Sequence, residues 1–123
     1  RPRGVKRITL TRTGRRSGEA RSVSLYAFED GSDMVVVGSV GGAENDPAWA
    51  LNLRFRPAAT VTSGKAAWPA RAREAMGAER ERLWDLVCAG FPTYRAFQRK
   101  TDRLIPLFVL EPVGRARGQV DQA

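Results

Sequence analysis

Histidine is absent from this sequence of 123 residues, and cysteine occurs once, at Cys88. Zinc sites draw most of their ligands from cysteine and histidine, so we expect no metal site. Nucleophiles activated by histidine, of the Ser-His or Cys-His kind, cannot be built either. If the protein is an enzyme, a cofactor therefore carries the difficult step, and the chain supplies binding and electrostatics.

Long apolar runs are missing as well. No stretch approaches the ~20 apolar residues that span a bilayer, and no signal peptide is visible. The single cysteine excludes an internal disulfide, which fits a cytoplasmic protein. With 42% apolar residues the chain can build one core, and its length is that of one domain. We predict one domain over residues 1–112 and a flexible polar tail over residues 113–123.

The net charge is +8, and nearly all of the excess lies in one short segment. Residues 1–21 carry eight lysine or arginine side chains against one acid, Glu19, which gives +7, whereas the remaining residues sum to +1. Such a concentration of cations favours an anionic partner: nucleic acid, an acidic lipid surface or a phosphorylated small molecule.

The hydropathy pattern predicts the element order β-β-β-α-β-β-α-α-β. Strands are predicted over residues 6–13, 21–29, 34–37, 60–63, 66–74 and 107–110, and helices over residues 46–56, 79–89 and 92–100. Asp46 is expected to cap the first helix, with Pro47 at its first position, and Pro69 to place its strand at an edge or a bulge. Hairpins with a few helices and no dominant βαβ repeat indicate an α+β fold around a small, mostly antiparallel barrel.

The first two predicted strands flank a turn at residues 14–18, so they form a hairpin with arginines at its tip. Arg15, Arg16 and Ser17 can present guanidinium groups and turn N–H groups to a phosphate. Arg21 lies close enough in sequence to join them. The alternative interpretation is a solvated basic turn that binds nothing.

Three other features can carry chemistry. The loop at residues 38–42 lacks the spacing of a dinucleotide or P-loop motif, but its glycines allow close approach to a flat ring. Trp49 is either a core aromatic residue or a wall beside a planar cofactor. Tyr94 is either a surface residue or a proton donor, since an unperturbed tyrosine, with a pKa of ~10, is protonated at neutral pH. Four residues are expected to pack in the core or at its edge: Phe55, Trp68, Trp84 and Cys88.

Five segments carry a resemblance to a known family: residues 10–18 (LTRTGRRSG), 36–42 (VVGSVGG), 46–53 (DPAWALNL), 91–102 (FPTYRAFQRKTD) and 105–112 (IPLFVLEP). In this order and spacing the sequence resembles the deazaflavin-dependent nitroreductase family of actinobacterial F420-dependent oxidoreductases. The resemblance spans residues 6–112 and implies a split β-barrel of the FMN-binding type, which agrees with the strand pattern.

The resemblance implies a site for coenzyme F420. The basic turn and the strand after it would hold the phosphate and flank the ring, the loop would line the deazaflavin, and the first helix would supply another wall. The implied coenzyme-binding residues are Arg15, Arg16, Ser17, Arg21, Ser22, Val23, Ser24, Leu25, Tyr26, Val37, Gly38, Ser39, Val40, Ala48, Trp49, Ala50, Leu51 and Asn52. Tyr94 or Ser39 would supply a proton while the reduced coenzyme gives a hydride to a quinone, enone or nitroaromatic substrate.

The sequence departs from the family pattern at several positions. Val40 replaces a lysine or asparagine, Ser24 replaces a proline, and Phe91 and Phe97 replace two tyrosines near the substrate. These changes leave nitroimidazole reduction open, and they keep a non-catalytic carrier of F420 or of a lipid as an alternative. The family also has an N-terminal helix that covers the site or approaches the membrane. Peripheral membrane contact through a segment before Arg1 is therefore an expectation, and the oligomeric state stays open, with a dimer as one form.

Two further alternatives follow from the residues themselves. A nucleic-acid-binding module fits the charge, but the cations lie on a hairpin without interleaved aromatic residues, so we expect no nucleic-acid partner. FMN in place of F420 suits the same barrel, whereas haem would lack a histidine ligand.

Overall fold

The computed structural model describes residues 4–114, and within them the element order is the one predicted from the sequence. The strands are β1 (Val5–Thr13), β2 (Ala20–Asp30), β3 (Asp33–Val37), β4 (Ala58–Ser63), β5 (Ala66–Glu74) and β6 (Leu107–Pro112). The helices are α1 (Ala48–Phe55), α2 (Gly77–Gly90) and α3 (Thr93–Arg99), and a short 3-10 turn lies at Val40–Gly42. The observed boundaries differ from the predicted ones by at most two residues.

The six strands close into an antiparallel barrel in the order β1-β2-β3-β6-β5-β4. Alternation along each strand sends apolar side chains inward, among them Ile8 and Leu10 of β1, Val36 of β3 and Phe108 of β6. Trp49, Ala50 and Leu53 of α1 pack into the same core. The predicted α+β barrel is therefore confirmed.

The barrel is weakly joined between β2 and β3. β1 and β2 pair over nine residues, from Val5 opposite Phe28 to Thr13 opposite Ala20. β2 and β3 pair over only three, from Phe28 opposite Val35 to Asp30 opposite Asp33. Residues 20–27 of β2 therefore have a strand along one edge only, and this gap is the split of the barrel.

A second apolar core lies outside the barrel and carries α2 and α3. α2 buries Leu83 and Val87, as its periodicity predicts. α3 packs closely on the 3-10 turn because Gly42 has no side chain: a Cβ there would lie 2.6 Å from the carbonyl oxygen of Phe97. This contact brings α3 to the side of the barrel where β2 and β3 part.

Three predictions about single residues are wrong. Asp46 does not cap α1, because Pro47 precedes the helix and two arginines hold the Asp46 carboxylate instead. Pro69 is not at a sheet edge, since β5 lies between β4 and β6. It is tolerated because β6 pairs only as far as Ala70 of β5. Phe55 is 62% exposed rather than packed, with the Arg56 guanidinium 5.4 Å from its ring centre.

Within residues 4–114, no helix combines the length and apolar character that crossing a bilayer requires. The tail predicted over residues 113–123 falls mostly on residues 115–123, which lie outside the described part of the chain.

Candidate functional site

The gap between β2 and β3 opens into a cleft of about 430 Å³, here named the split cleft. One wall is β2 at residues 23–26, and the other is the end of β3 with the loop after it, at residues 37–40. The remaining lining residues are Pro47 and Trp49 at the start of α1 and three aromatic rings on or beside α3, Phe91, Tyr94 and Phe97. Two largely apolar walls beside an unpaired strand edge suit a flat ring with polar groups at its rim.

Arg103 holds the loop wall in place. Its Nη1 donates to the carbonyl of Gly38 at 3.1 Å and its Nη2 to that of Ser39 at 2.8 Å. Its Nε donates to the carbonyl of Ala43 at 2.7 Å, and its Nη1 also meets Asp46 Oδ1 at 2.5 Å. One guanidinium therefore fixes the loop from Gly38 to Asp46. No local pattern in the sequence indicates this role, because Arg103 lies 57 to 65 residues after the loop.

Val40 lies on this wall in an unusual conformation. Its φ is +43°, in the left-handed region, although it is not glycine. That region is strongly disfavoured for a β-branched residue, and residues held there often belong to functional sites. Its side chain is 52% exposed, so core packing does not explain the strain.

Tyr94 is buried, at 6% exposed, and not a surface residue. Its ring meets Phe28, Phe91 and Phe97 edge to face. Burial, with smaller effects of Cys88 and Tyr26, raises the pKa of Tyr94 to about 12. The phenol therefore stays protonated at every physiological pH and can act as a donor.

A second cavity of about 410 Å³, here named the side cavity, shares Tyr26, Phe91 and Tyr94 with the split cleft. Its other lining residues are Val5, Lys6, Arg7, Phe28 and Gly90. The Arg7 guanidinium lies 4.9 Å from the ring centre of Tyr26, and its Nε donates to Ser24 Oγ at 2.9 Å. The side cavity is thus aromatic and apolar inside, with cations at its rim.

The basic turn is anchored to α1 through Arg15. Its backbone N–H and its Nη1 both donate to Oδ1 of buried Asn52, each at 3.0 Å. Ser17 Oγ accepts a hydrogen bond from the backbone N–H of Glu19 at 3.1 Å. Arg16 and Arg21 remain exposed. The turn is therefore fixed to α1, and two exposed guanidinium groups, those of Arg16 on the turn and Arg21 on β2, precede the part of β2 that lines the split cleft.

Arg12 is a buried cation that the sequence analysis counted only as part of the basic segment. It follows Ile8 and Leu10 on the inner face of β1 and is 8% exposed. Its Nε and Nη1 are buried and have no hydrogen-bond partner within residues 4–114. Burial and the nearby Arg21 lower the pKa of Arg12. A buried charged group without a partner is rare in proteins, so it points to a ligand.

The structure brings half of the predicted coenzyme-binding residues to the split cleft: Val23, Ser24, Leu25, Tyr26, Val37, Gly38, Ser39, Val40 and Trp49. Others lie on the turn or the start of β2: Arg15, Arg16, Ser17, Arg21 and Ser22. The rest lie on α1 outside the cleft lining: Ala48, Ala50, Leu51 and Asn52. Ala50 is fully buried in the barrel core. Phe91 and Phe97, which the family pattern puts near the substrate, also line the cleft, and so does Pro47, which was expected only to begin a helix.

Known protein families and solved structures show similarity to this chain in both sequence and fold. The sequence profile of the F420H(2)-dependent quinone reductase family matches residues 2–112. An F420H(2)-dependent quinone reductase of Mycobacterium tuberculosis is 29% identical over 106 residues, which cover 84% of this chain and 71% of that protein. The solved structure of an F420-H2 dependent reductase is 38% identical with a TM-score of 0.79, covering 89% of this chain and 95% of that one. The haem storage protein HutZ of Vibrio cholerae shares the fold, at 13% identity and a TM-score of 0.61, over 89% of this chain and 82% of its own.

Fold and family define an oxidoreductase built on a split β-barrel that works with a flavin-like coenzyme. The chain belongs to the F420H(2)-dependent quinone reductase family. Its coenzyme is accordingly the deazaflavin F420, as the motifs in the sequence implied.

The residues present fit this coenzyme. A deazaflavin is a flat tricyclic ring, and the split cleft offers apolar walls at residues 23–26 and 37–40. The remainder of F420 is a chain that carries a phosphate and carboxylates. Cations lie at the turn end of the β1–β2 hairpin: Arg15 and Arg16 on the turn, Arg21 on β2, and Arg12 with its unpartnered nitrogens on β1.

Proposed function

We propose that the split cleft binds the ring of F420 and that the chain reduces a quinone, or a similar electron-poor ring, beside it. The observation that carries the proposal is the gap along β2, which leaves residues 23–26 facing residues 37–40. The gap begins next to the basic turn, so a flat ring and an anionic tail are accommodated by one continuous surface. In its motifs the site resembles those of deazaflavin-dependent nitroreductases.

The walls have distinct tasks in this proposal. Trp49 and the loop held by Arg103 form one side, and the β2 edge offers backbone groups to the polar rim of the ring. Arg16, Ser17 and Arg21 hold the phosphate, since guanidinium groups and turn N–H groups suit phosphate oxygens. Arg15 acts mainly by fixing the turn to Asn52.

In this proposal the substrate binds in the side cavity. It shares the rings of Tyr26, Phe91 and Tyr94 with the split cleft, so a substrate there lies against the same aromatic wall. Reduced F420 supplies a hydride when it is bound. Tyr94 donates a proton from its hydroxyl to the substrate oxygen, since the phenol lies on the shared wall and is protonated at neutral pH. Ser39, half-buried on the loop wall, is the alternative donor.

A dimer is part of the proposal. One solved structure, 38% identical with a TM-score of 0.79 over 90% of this chain and 82% of its own, is a domain-swapped dimer. Light scattering during size-exclusion chromatography would give the mass in solution, and a monomer at all concentrations would contradict this part.

Titration with oxidised F420, followed by tryptophan fluorescence, tests the coenzyme site. Trp49 lines the split cleft, whereas Trp84 lies on α2 beneath Arg80. Binding should quench the fluorescence, Trp49→Phe should remove most of the quenching, and Trp84→Phe should keep it. FMN run in parallel tests the alternative coenzyme. Preference for FMN, or quenching that survives in Trp49→Phe and is lost in Trp84→Phe, would overturn the assignment.

Measuring the oxidation of reduced F420 tests the proposed reaction and distinguishes an enzyme from a non-catalytic carrier of the coenzyme. Reduced F420 should be oxidised in the presence of a water-soluble quinone at a rate that depends on both concentrations. Arg16→Ala should raise the coenzyme KM, and Lys65→Ala, at the β4–β5 turn, is the control that removes a cation elsewhere. Tight F420 binding without turnover of quinones, enones or nitroaromatics would instead favour the carrier.

A further inference from the structure

The inner face of β1 ends in a cation where an apolar residue is expected. Ile8 and Leu10 precede Arg12 at alternate positions, and all three are buried. In the sheet, Arg12 lies opposite Arg21 on β2 and opposite Ala59 on β4. Its neighbours across the sheet are therefore another cation and a small residue.

No protein group in the described part of the chain compensates this charge. Nε and Nη1 of Arg12 lack a hydrogen-bond partner within residues 4–114, and neither Arg12 nor Arg21 forms an ion pair there. Like charges opposite each other on neighbouring strands destabilise a sheet. A buried ion normally persists only when it is paired, so the arrangement makes sense if an anion completes it.

The side chain of Arg21 bends toward the basic turn. Its Nε would lie 3.3 Å from a Cβ placed on Gly14, and Ser17 Oγ would lie 3.0 Å from the same point. Gly14 is buried, and the absence of its side chain is what allows Arg21 and Ser17 to come together. The guanidinium of Arg21 thus sits between the turn and the end of the barrel to which Arg12 belongs.

We propose that Arg12 and Arg21 form an anion seat at this end of the barrel, which takes a phosphate or carboxylate of the bound coenzyme. The inference rests on the proposed function, because the ring in the split cleft positions the anionic chain. Arg21 is two residues before Val23 of the cleft wall, about 7 Å along an extended strand. Arg12 is then a coenzyme-binding residue in addition to those of the turn.

Burial decides the kind of anion. Arg12 is only 8% exposed as a residue, so its guanidinium can be reached by one small anionic group but not by the backbone of a nucleic acid. A single phosphate or carboxylate can accept hydrogen bonds from both guanidinium groups at once. An extended anionic surface, such as a membrane, cannot reach Arg12 in the same way.

The first experiment compares wild type with Arg12→Met, Arg21→Met and the control Lys65→Met. The control also removes one positive charge, at the turn that follows β4, so it corrects for long-range attraction. We expect the first two variants to bind F420 about tenfold to a hundredfold more weakly, as for lost charged hydrogen bonds. The control should change the affinity less than about twofold, since exposed charges act weakly.

Three ligands distinguish the two anionic groups. If the phosphate occupies the seat, Arg12→Met weakens the binding of F420 and of its glutamate-free form alike. It leaves the binding of the phosphate-free deazaflavin alcohol unchanged. If a glutamate carboxylate occupies it, only the binding of intact F420 is weakened. Equal affinity of Arg12→Met and Lys65→Met for intact F420 would overturn the proposal.

A measurement without coenzyme separates this inference from the proposed function. Inorganic phosphate should raise the Tm of wild type more than chloride at equal ionic strength, and Arg12→Met should lose that difference. Its own Tm without phosphate should equal or exceed that of wild type, because an unpaired buried charge has been removed. If wild type fails to bind F420, the phosphate-dependent Tm still tests whether the anion seat exists. If Arg12→Met does not fold, Arg12→Gln is measured in its place. The absence of a phosphate-specific rise in the Tm of wild type would overturn the anion seat.

Discussion

Arg103 and Asp46 are 57 residues apart in sequence, and Nη1 of the arginine lies 2.5 Å from Oδ1 of the aspartate. The other carboxylate oxygen of Asp46 accepts from Arg54 Nη1 at 2.7 Å. Arg54 in turn donates to Glu74 from both Nε and Nη2. The segment after α3, the loop before α1, α1 itself and β5 are thus connected through charged groups, and the loop wall of the split cleft is part of that network.

Arg103→Gln should weaken coenzyme binding although Arg103 does not line the split cleft. The change removes hydrogen bonds to the carbonyls of Gly38, Ser39 and Ala43 and leaves Asp46 with one partner. We expect about 2–4 kcal/mol lower stability, since both side chains are mostly buried, and a coenzyme Kd at least about tenfold higher. Urea unfolding and F420 titration measure the two effects.

Arg95→Gln provides a matched control. Arg95 pairs with Asp85 on the surface, where the two side chains are 50% and 76% exposed. Exposed pairs contribute about 0–1 kcal/mol, so this variant should bind F420 as wild type does. If Arg103→Gln loses stability but keeps its coenzyme Kd, Arg103 holds the fold and does not position the wall.

The predictable parts of this protein are those set by local pattern. Period-two alternation located β1 and β2, and the glycine-flanked turn between them identified the hairpin. The same alternation puts Arg12 on the inner face after Ile8 and Leu10, but neither its missing partner nor the contacts of Arg103 could be found in this way. They depend on which residues lie opposite across the sheet or across the barrel, and a single sequence does not encode that in any local spacing. Asp46 shows the competition directly, since its carboxylate favours two arginines over the helix N-terminus.

Asn52→Ala tests whether Asn52 acts on the turn or on the coenzyme. Its Oδ1 accepts from the backbone and the side chain of Arg15, and the residue is 4% exposed. Removing it leaves two donors unpaired, so we expect about 1–3 kcal/mol lower stability of the coenzyme-free protein. Arg15→Met removes only the side-chain bond and should cost less. An unchanged urea midpoint together with weaker F420 binding would instead make Asn52 a direct coenzyme contact.

Val40→Asn should stabilise the protein. Val40 has a φ of +43°, which asparagine tolerates and a β-branched residue does not. Relief of this strain should raise the free energy of unfolding by about 1 kcal/mol. Val40→Thr is the matched control, because it is polar but still β-branched, and should bring no gain. Equal stability of both variants and wild type would show that the left-handed conformation costs nothing here.

Tyr94 gives the protein a distinctive loss of stability in strong base. Its pKa is about 12 in the folded chain, because of burial first and of Cys88 and Tyr26 next, against ~10 in the unfolded chain. The folded state therefore favours the protonated phenol. This contribution is fully present below pH ~10 and is lost as the pH rises toward ~12, at about 1.4 kcal/mol per pH unit. Urea unfolding at pH 9 to 12 should show a shallower decline for Tyr94→Phe than for wild type. Parallel curves for Tyr94→Phe and wild type would mean that the phenol ionises as freely in the folded chain as in the unfolded one, and that burial does not raise its pKa.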